Sequence, residues 1–348
     1  MDSKTYEPSW FALTSALVAL VVVCVLIGLR PDSQKASLSV KTVAGSNLSA
    51  DGKIFFDYIG TGKLLTIPEG VEVIADSAFD HLSEAWGVAP KINSTGLRTI
   101  VVPASLKEIA RRGFRDCRCL EAFEVAEDNP NFCSIDGVLY SKDGKTLLSV
   151  PEAIVRSASI DHETGDVVEP IVFVDDSSFH PVRRIKGSFV VPDGVETIGS
   201  YAFCNCSSLT SIVLPDSVKE IAPCAFYGCD WLEDVKVSKN VERIGARAFN
   251  FCRSLKRIDF SDGVREIGAG AFAGCSSLET FVVPSGVKEI PKGTFDHCDS
   301  LKSTIIPSSV EKIDFLAISP VDGLTIVAPK GSPGEEYAKG WKINYSPL

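Results

Sequence analysis

Two hydrophobic patterns divide the chain. Residues 10–29 run without a charge, and at about 1.5 Å per residue they are long enough to cross a hydrocarbon core about 30 Å thick. Further on, the apolar residues fall into columns that recur every 23 residues. The markers Pro192, Pro215, Ser238, Ser261, Pro284 and Pro307 hold this spacing, and Pro68 and Pro103 extend the series, with inserts, to eight units. Three residues after each marker stands Val or Leu, as in Val218 and Val241. Ile stands three further on, as in Ile221 and Ile244. Then come a Phe column (Phe203, Phe226, Phe249, Phe272), a Cys three residues behind it (Cys206, Cys229, Cys252, Cys275, Cys298 and Cys117), and a closing Leu such as Leu209 or Leu232.

A unit of this length cannot bury its own apolar columns, whereas stacked units place like residue over like and share one continuous core. In the run from Leu209 to Pro215, alternation sends Ile212 and Leu214 inward and Ser211 and Val213 outward, which predicts a strand. A second short extended piece ends at Ile221, and Ala225, Phe226 and Cys229 read as a single helical or 3₁₀ turn. The predicted fold is a solenoid of 23-residue leucine-rich repeats, mostly short β-strands with single helical turns, preceded by one N-terminal transmembrane helix. Its expected divisions are a tail (1–9), the membrane helix or signal anchor (10–29), a tether and N-terminal cap (30–63) and first coils (64–125). An insert (126–185), the main array (186–329) and a C-terminal cap (330–348) follow. Within the insert, the two apolar stretches joined around Asp143 and Gly144 predict a hairpin protruding from the stack.

On these residues the chain resembles the BspA-type, or Treponema-type, leucine-rich repeats. Its units at Pro192, Pro215, Ser238 and Ser261 follow that family's pattern of Leu, Ile, Pro, Val, Ile, Ala-Phe and Cys. The stretch beginning Asn129-Pro-Asn-Phe132 and the terminal Gly331-Ser-Pro-Gly are also typical of it. The resemblance covers about residues 64–345 and implies a non-catalytic surface protein of bacteria that binds another protein or surface macromolecule. The chain departs from the common repeat after its strands, where Gly194, Ser217, Asn240 and Gly263 replace the usual Asn or Cys. The hydrogen bonding of these turns must therefore differ.

The flanks of residues 10–29 set the orientation problem. A cleavable signal has a basic start, a shorter apolar core and a small-x-small site, none of which is present here, so an uncleaved anchor is expected. Arg30, Lys35 and Lys41 follow the segment while only Lys4 precedes it, which by the positive-inside rule places the solenoid in the cytoplasm. The family resemblance implies the opposite, a single-pass protein with its solenoid outside the cell, and long domains can translocate against a weak charge bias.

Charge excludes one class of partner. Lys and Arg number 35 against 45 Asp and Glu, a net charge of −10, so the chain lacks the basic excess that nucleic-acid binding needs. Of the four histidines, His297 stands at a variable repeat position, while His162 and His180 lie in an acidic stretch of the insert without metal-ligand spacing. No cofactor or metal is implied. The recurrent cysteines read as small buried apolar residues, where a serine in place of Cys252 would lack an assured partner. Cys119, Cys133, Cys204 and Cys224 are left over and could pair in an exported domain.

Two surfaces are candidates for binding. Tyr227, Trp231 and Phe251 stand at variable positions where neighbouring coils carry serine, glycine, alanine or asparagine, so repeat logic exposes three aromatics on adjacent coils. The competing reading folds them back over the coil edge. On the strand face, Asp234, Lys236, Arg257 and Asp259 occupy outward positions, where mutual pairing is the alternative. Rival functions are a passive structural spacer, a cytoplasm-facing interaction scaffold, or an enzyme with its site in the insert.

Overall fold

The computed structural model describes residues 41–348 apart from 44, 77, 80–95, 116, 118, 158, 161–166 and 169–186. The tail, the expected membrane helix, the start of the tether, Cys24, His81, His162 and His180 lie outside the described residues. Among the described residues no helix is long and apolar enough to cross a membrane.

The chain winds into a β-solenoid of about 11 turns. A regular coil shows how the columns build it. Strand Leu209–Val213 pairs in parallel with Gly187–Val190 on one side and Asp234–Lys236 on the other, so that Ile212 lies over Val235 and Ser211 over Asp234. After the marker proline the chain turns into the short strand Glu220–Ile221, which pairs with Thr197–Ile198 and Arg243–Ile244. Of the two turns that the spacing allows, the third side takes the tighter, 3₁₀-type hydrogen bonding and not that of an α-helix. It is a run of i to i+3 turns, with Ala225, Tyr227 and Cys229 each donating N–H to the carbonyl three residues back. Left-handed residues at Cys224 (φ 58°) and Gly228 (φ 71°) re-aim the backbone. Every second N–H then points along the stack, with Cys224, Phe226 and Gly228 donating to the carbonyls of Ala246, Ala248 and Asn250 at 2.8–3.0 Å. All three sides of a coil are thereby hydrogen-bonded to the next, which meets the backbone requirement of a buried stack.

Inside, the columns lie as the spacing implies. Phe203, Phe226, Phe249, Phe272 and Phe295 stack with centroids 5.0–5.7 Å apart and planes within 17° of parallel. Val218, Ile221, Cys229 and Leu232 and their counterparts in the neighbouring coils are buried around them. The ladder on the long-strand side is interrupted at residues 257–259, which form no strand. Phe260 and Phe281 put two additional rings against Phe272 here, at 6.0 and 4.9 Å, where neighbouring coils carry aliphatic residues or threonine. The ladder resumes in the strands Thr280–Val282, Ser303–Ile305, Thr325–Ala328 and Asn344–Pro347.

The expected insert behaves differently from a protrusion. Strands Phe132–Ile135, Val138–Ser141 and Thr146–Ser149 form an antiparallel meander, and Thr146–Ser149 then pairs in parallel with Thr197–Ile198, as though it were one more coil. The hairpin is therefore built into the sheet. Val138 and Tyr140 pack into the core of the later coils and Leu139 into that of the earlier ones, so one alternating strand walls off two hydrophobic cores. Buried Asn129 seals the earlier stack. Its Nδ2 donates to the carbonyls of Pro103 and Leu106, while its Oδ1 accepts from the N–H groups of Asn131 and Phe132.

At the far end a helix, Pro333–Trp341, starts behind the N-cap Ser332, whose hydroxyl accepts from Glu335 N. Ile318 fills the place of the column phenylalanine. The Tyr337 hydroxyl accepts from Ile318 N at 3.0 Å and donates to Ile318 O at 2.9 Å, closing the third ladder where no further coil continues it.

Candidate interaction surfaces

The aromatics at variable positions meet only in part. Tyr227 and Phe251 contact edge to face, with centroids 5.7 Å apart at 90°. Phe251 lies across Gly274, where a Cβ would come within 2.5 Å of its ring. Arg253 covers the Phe251 ring at 5.3 Å and pairs with Asp230 at 2.9 Å, while Arg115 from the earlier stack lies 5.8 Å from the Tyr227 ring centroid. Phe251 has 37% of its surface exposed, and Tyr227 and Trp231 are half-buried. Tyr227 and Phe251 are held by arginine neighbours, and Phe251 by a glycine as well, in the manner of residues folded over the coil edge.

The strand-face residues keep their outward positions. Asp234 and Lys236 are exposed on either side of buried Val235, and Arg257 and Asp259 are exposed about buried Ile258 despite the missing strand. Arg257 Nη2 pairs with Asp259 Oδ2 at 2.5 Å. Thr280 and Val282 extend the face, and Val282 is 54% exposed. Ser211 departs from its expected exposure, because it is buried with its hydroxyl 2.6 Å from that of Ser188.

The opposite side carries a ladder of cross-coil ion pairs. Glu196 bridges Lys145 and Lys219 at 2.7 and 3.0 Å, and Glu72 bridges Lys53 and Lys107 at 2.9 and 2.8 Å. Hydrogen bonds from the two lysines hold the carboxyl of each glutamate below its ordinary range. Such exposed pairs keep register more than they add stability.

The cysteines have a role that their spacing does not disclose. The thiols of Cys229, Cys252, Cys275 and Cys298 donate to the carbonyls of Phe203, Phe226, Phe249 and Phe272 one coil back, at 3.0–3.2 Å. The serine imagined at position 252 would therefore meet the Phe226 carbonyl. Burial raises these thiols above their ordinary range, Cys298 to about 12. Ten cysteines among the described residues, Cys119, Cys133, Cys204 and Cys224 included, are thiols and not disulfides. Where the common repeat has Asn or Cys, Ser105 and Ser217 accept from the N–H groups of Gly70 and Gly194 through their hydroxyls, and Asn240 donates to Asp216 O.

A cavity of about 30 Å³ lies between the last of the earlier coils and the first of the later ones, lined by Phe114, Glu152, Tyr201, Cys204 and Cys206 among others. Ser207 and Ser208 donate to the buried Glu152 carboxylate there. His297 is exposed, 3.9 Å from Asp296. Among the described residues no cluster of three or more His, Cys, Asp or Glu side chains could hold a metal.

Coils of this length, stacked on parallel strands about a phenylalanine and leucine core, define a leucine-rich-repeat solenoid. Residues 174–302 match the family model for the BspA type leucine rich repeat region in six copies, so that the chain carries repeats of this type over that stretch. Two solved structures share the fold. One is the pneumococcal vaccine antigen PcpA, at 18% identity and a TM-score of 0.54, with 82% of this chain and 68% of that chain covered. The other is a leucine-rich repeat protein from Eubacterium ventriosum, at 22% identity and a TM-score of 0.53, with 74% of this chain and 64% of that chain covered. The chain thus spans about two thirds of each. No curated protein sequence matches it.

Proposed function

We propose that the protein is a non-catalytic binding scaffold, held to a membrane by residues 10–29 with its solenoid outside the cell, and that it recognises another protein or surface macromolecule through its strand face. The observation that carries this reading is the contrast between its faces. The charges of the short-strand side are largely committed to cross-coil pairs, and two of the edge aromatics, Tyr227 and Phe251, lie against arginines. The strand face instead offers Asp234, Lys236, Thr280 and Val282, with Arg257 and Asp259 paired only within their own coil, at regular coil intervals and all of them exposed. A rigid stack presenting side chains at about 4.8 Å steps suits recognition spread over several coils.

A second reading, with the solenoid facing the cytoplasm, draws on the ten unbridged cysteines, which suit a reducing compartment, and on Arg30 and Lys35 after the apolar segment. Protease added to intact cells separates the two. Loss of the solenoid before lysis supports the surface reading, and protection until lysis overturns it. Proximity labelling from the same chain on intact cells then reports its neighbours, and neighbours retained by a Lys236→Glu, Arg257→Asp variant would reject the strand face as the binding surface.

A further inference from the structure

The strand face has a symmetry of its own. Up the stack, the outward pairs of four successive coils are Ser211 and Val213, Asp234 and Lys236, Arg257 and Asp259, Thr280 and Val282. Read from its centre in either direction, the order is charge, then hydroxyl with valine, and the two charged rows carry opposite signs in each column. We propose that this face pairs with the same face of a second copy of this chain, the two stacks antiparallel about a two-fold axis between the Asp234 coil and the Arg257 coil. The inference rests on the strand face being the binding surface and names its partner.

A two-fold interface must be complementary to itself. About this axis Asp234 meets Arg257 of the second copy, Lys236 meets Asp259 of the second copy, and Val213 meets Val282 of the second copy, each contact occurring twice. Ser211 is buried against Ser188, so half-exposed Val213 is the member of its row that reaches the surface. The alternatives are poorer. An axis through either charged coil opposes Asp234 to Asp234 or Arg257 to Arg257, a like-charge contact that selects against the slipped register. A two-fold running along the stack puts Thr280 on Val282 and wastes the apolar match. The patch is small, so pairing belongs to the weak class of interfaces. Antiparallel pairing also places the two N-terminal ends at opposite ends of the pair, so chains anchored there would join two facing surfaces.

The test uses two single variants of the full chain in mild detergent, Asp234→Arg and Arg257→Asp. Sedimentation velocity is run at about 100 μM, a concentration suited to so small an interface. The wild type should sediment as a dimer. Each variant alone brings two like-charge contacts to the axis and should associate about tenfold more weakly or worse. An equimolar mixture should recover the dimer, because the introduced arginine of one chain meets the introduced aspartate of the other while the native pair is kept at the second contact. A monomeric wild type, single variants that dimerise as well as it does, or a mixture that fails to recover would overturn the proposal. Monomeric wild type whose labelled neighbours vanish in Arg257→Asp would reject the second copy alone and leave the strand face as the binding surface.

Discussion

The turns at residues 49–53 and 141–145 lie at the starts of two different stacks, yet they share their bonds one for one. In each a serine hydroxyl donates to the aspartate two residues on at 2.6 Å, the lysine N–H donates to that aspartate at 3.0 Å, and the serine hydroxyl accepts from the next strand at 2.9 Å. The lysine of each turn then reaches a glutamate of the following coil, and the strand leaving each turn pairs in parallel with that coil. Across the middle of the chain there is thus a second N-terminal cap, and the molecule is two capped stacks in succession. Beyond their caps the stacks differ. The later stack keeps a constant repeat length and its phenylalanines lie nearly parallel. In the earlier one the step from Pro68 to Pro103 is longer, Phe79 and Phe114 are tilted by 37°, and Cys117 is only half-buried. Constant coil length is what permits like to stack on like.

The largest effect expected from this contrast is alkaline. A buried thiol whose folded pKa is raised above its unfolded value stabilises fully below the unfolded pKa, near 9, and that stability is lost as pH rises toward the folded pKa, about 12 for Cys298. A thiol titrating across that window removes at most about 1.4 kcal/mol per pH unit, and burial raises Cys229, Cys252 and Cys275 in the same direction. Chemical denaturation at pH 8, 9 and 10 should show a steep loss. The double variant Cys252→Ala, Cys275→Ala should show a shallower one, and an unchanged slope would mean that the column does not govern it. Serine at 252 keeps a donor for the Phe226 carbonyl and should be tolerated better than the sequence alone suggests.

Next in size is the phenylalanine stack. Phe249→Ala removes a fully buried ring lying 5.1 Å from one neighbour and 5.5 Å from the next, at a cost of about 3–5 kcal/mol. Phe114→Ala acts on a tilted ring with 9% of its surface exposed and should fall at or below the low end of that range. Equal shifts in denaturation midpoint would contradict the distinction drawn between the stacks.

These features were unevenly legible in the chain. Strand, turn and core columns could be read because one length repeats, and like-over-like stacking follows from that alone. Partners without a side-chain letter stayed hidden, as with the Phe226 carbonyl that receives the Cys252 thiol. The pairing of Thr146 with Thr197 joins residues about fifty apart in the chain and has no local signature, although the recurrence of Ser-x-Asp-Gly-Lys at 49–53 and 141–145 was a readable sign of it. Gly274, one repeat beyond Phe251, likewise marked the space into which that ring folds. The break at residues 257–259 depends on how Phe260 and Phe281 share one volume, and column positions do not report volume.

A smaller effect tests whether the two caps are one device. Gly52 and Gly144 have φ of 75° and 71°, with open space where a side chain would begin, so alanine at either meets only the left-handed backbone penalty of about 1–2 kcal/mol. The two variants should lower stability by matching amounts. If Gly144→Ala is silent while Gly52→Ala is not, the second hairpin is no cap.

The smallest effect is acidic, and it falls on both stacks alike. Glu72 and Glu196 are each held below their ordinary pKa first by lysine hydrogen bonds, from Lys107 and Lys53 in one case and Lys145 and Lys219 in the other. A carboxyl whose folded pKa is depressed binds fewer protons when folded than when unfolded. Its stabilisation is therefore complete above the unfolded value near 4.5 and is lost as pH falls below it toward the depressed folded one. Melting temperature should fall gently as the solution is taken from pH 5 to pH 3. Because both glutamates are solvent-screened, salt should reduce the slope. Glu72→Gln and Glu196→Gln should each flatten the acid limb to a similar small degree, since each removes one lysine-bridged carboxylate at the same place behind a cap. An acid limb flattened by one substitution and untouched by the other would show that the matching bonds do not carry matching weight.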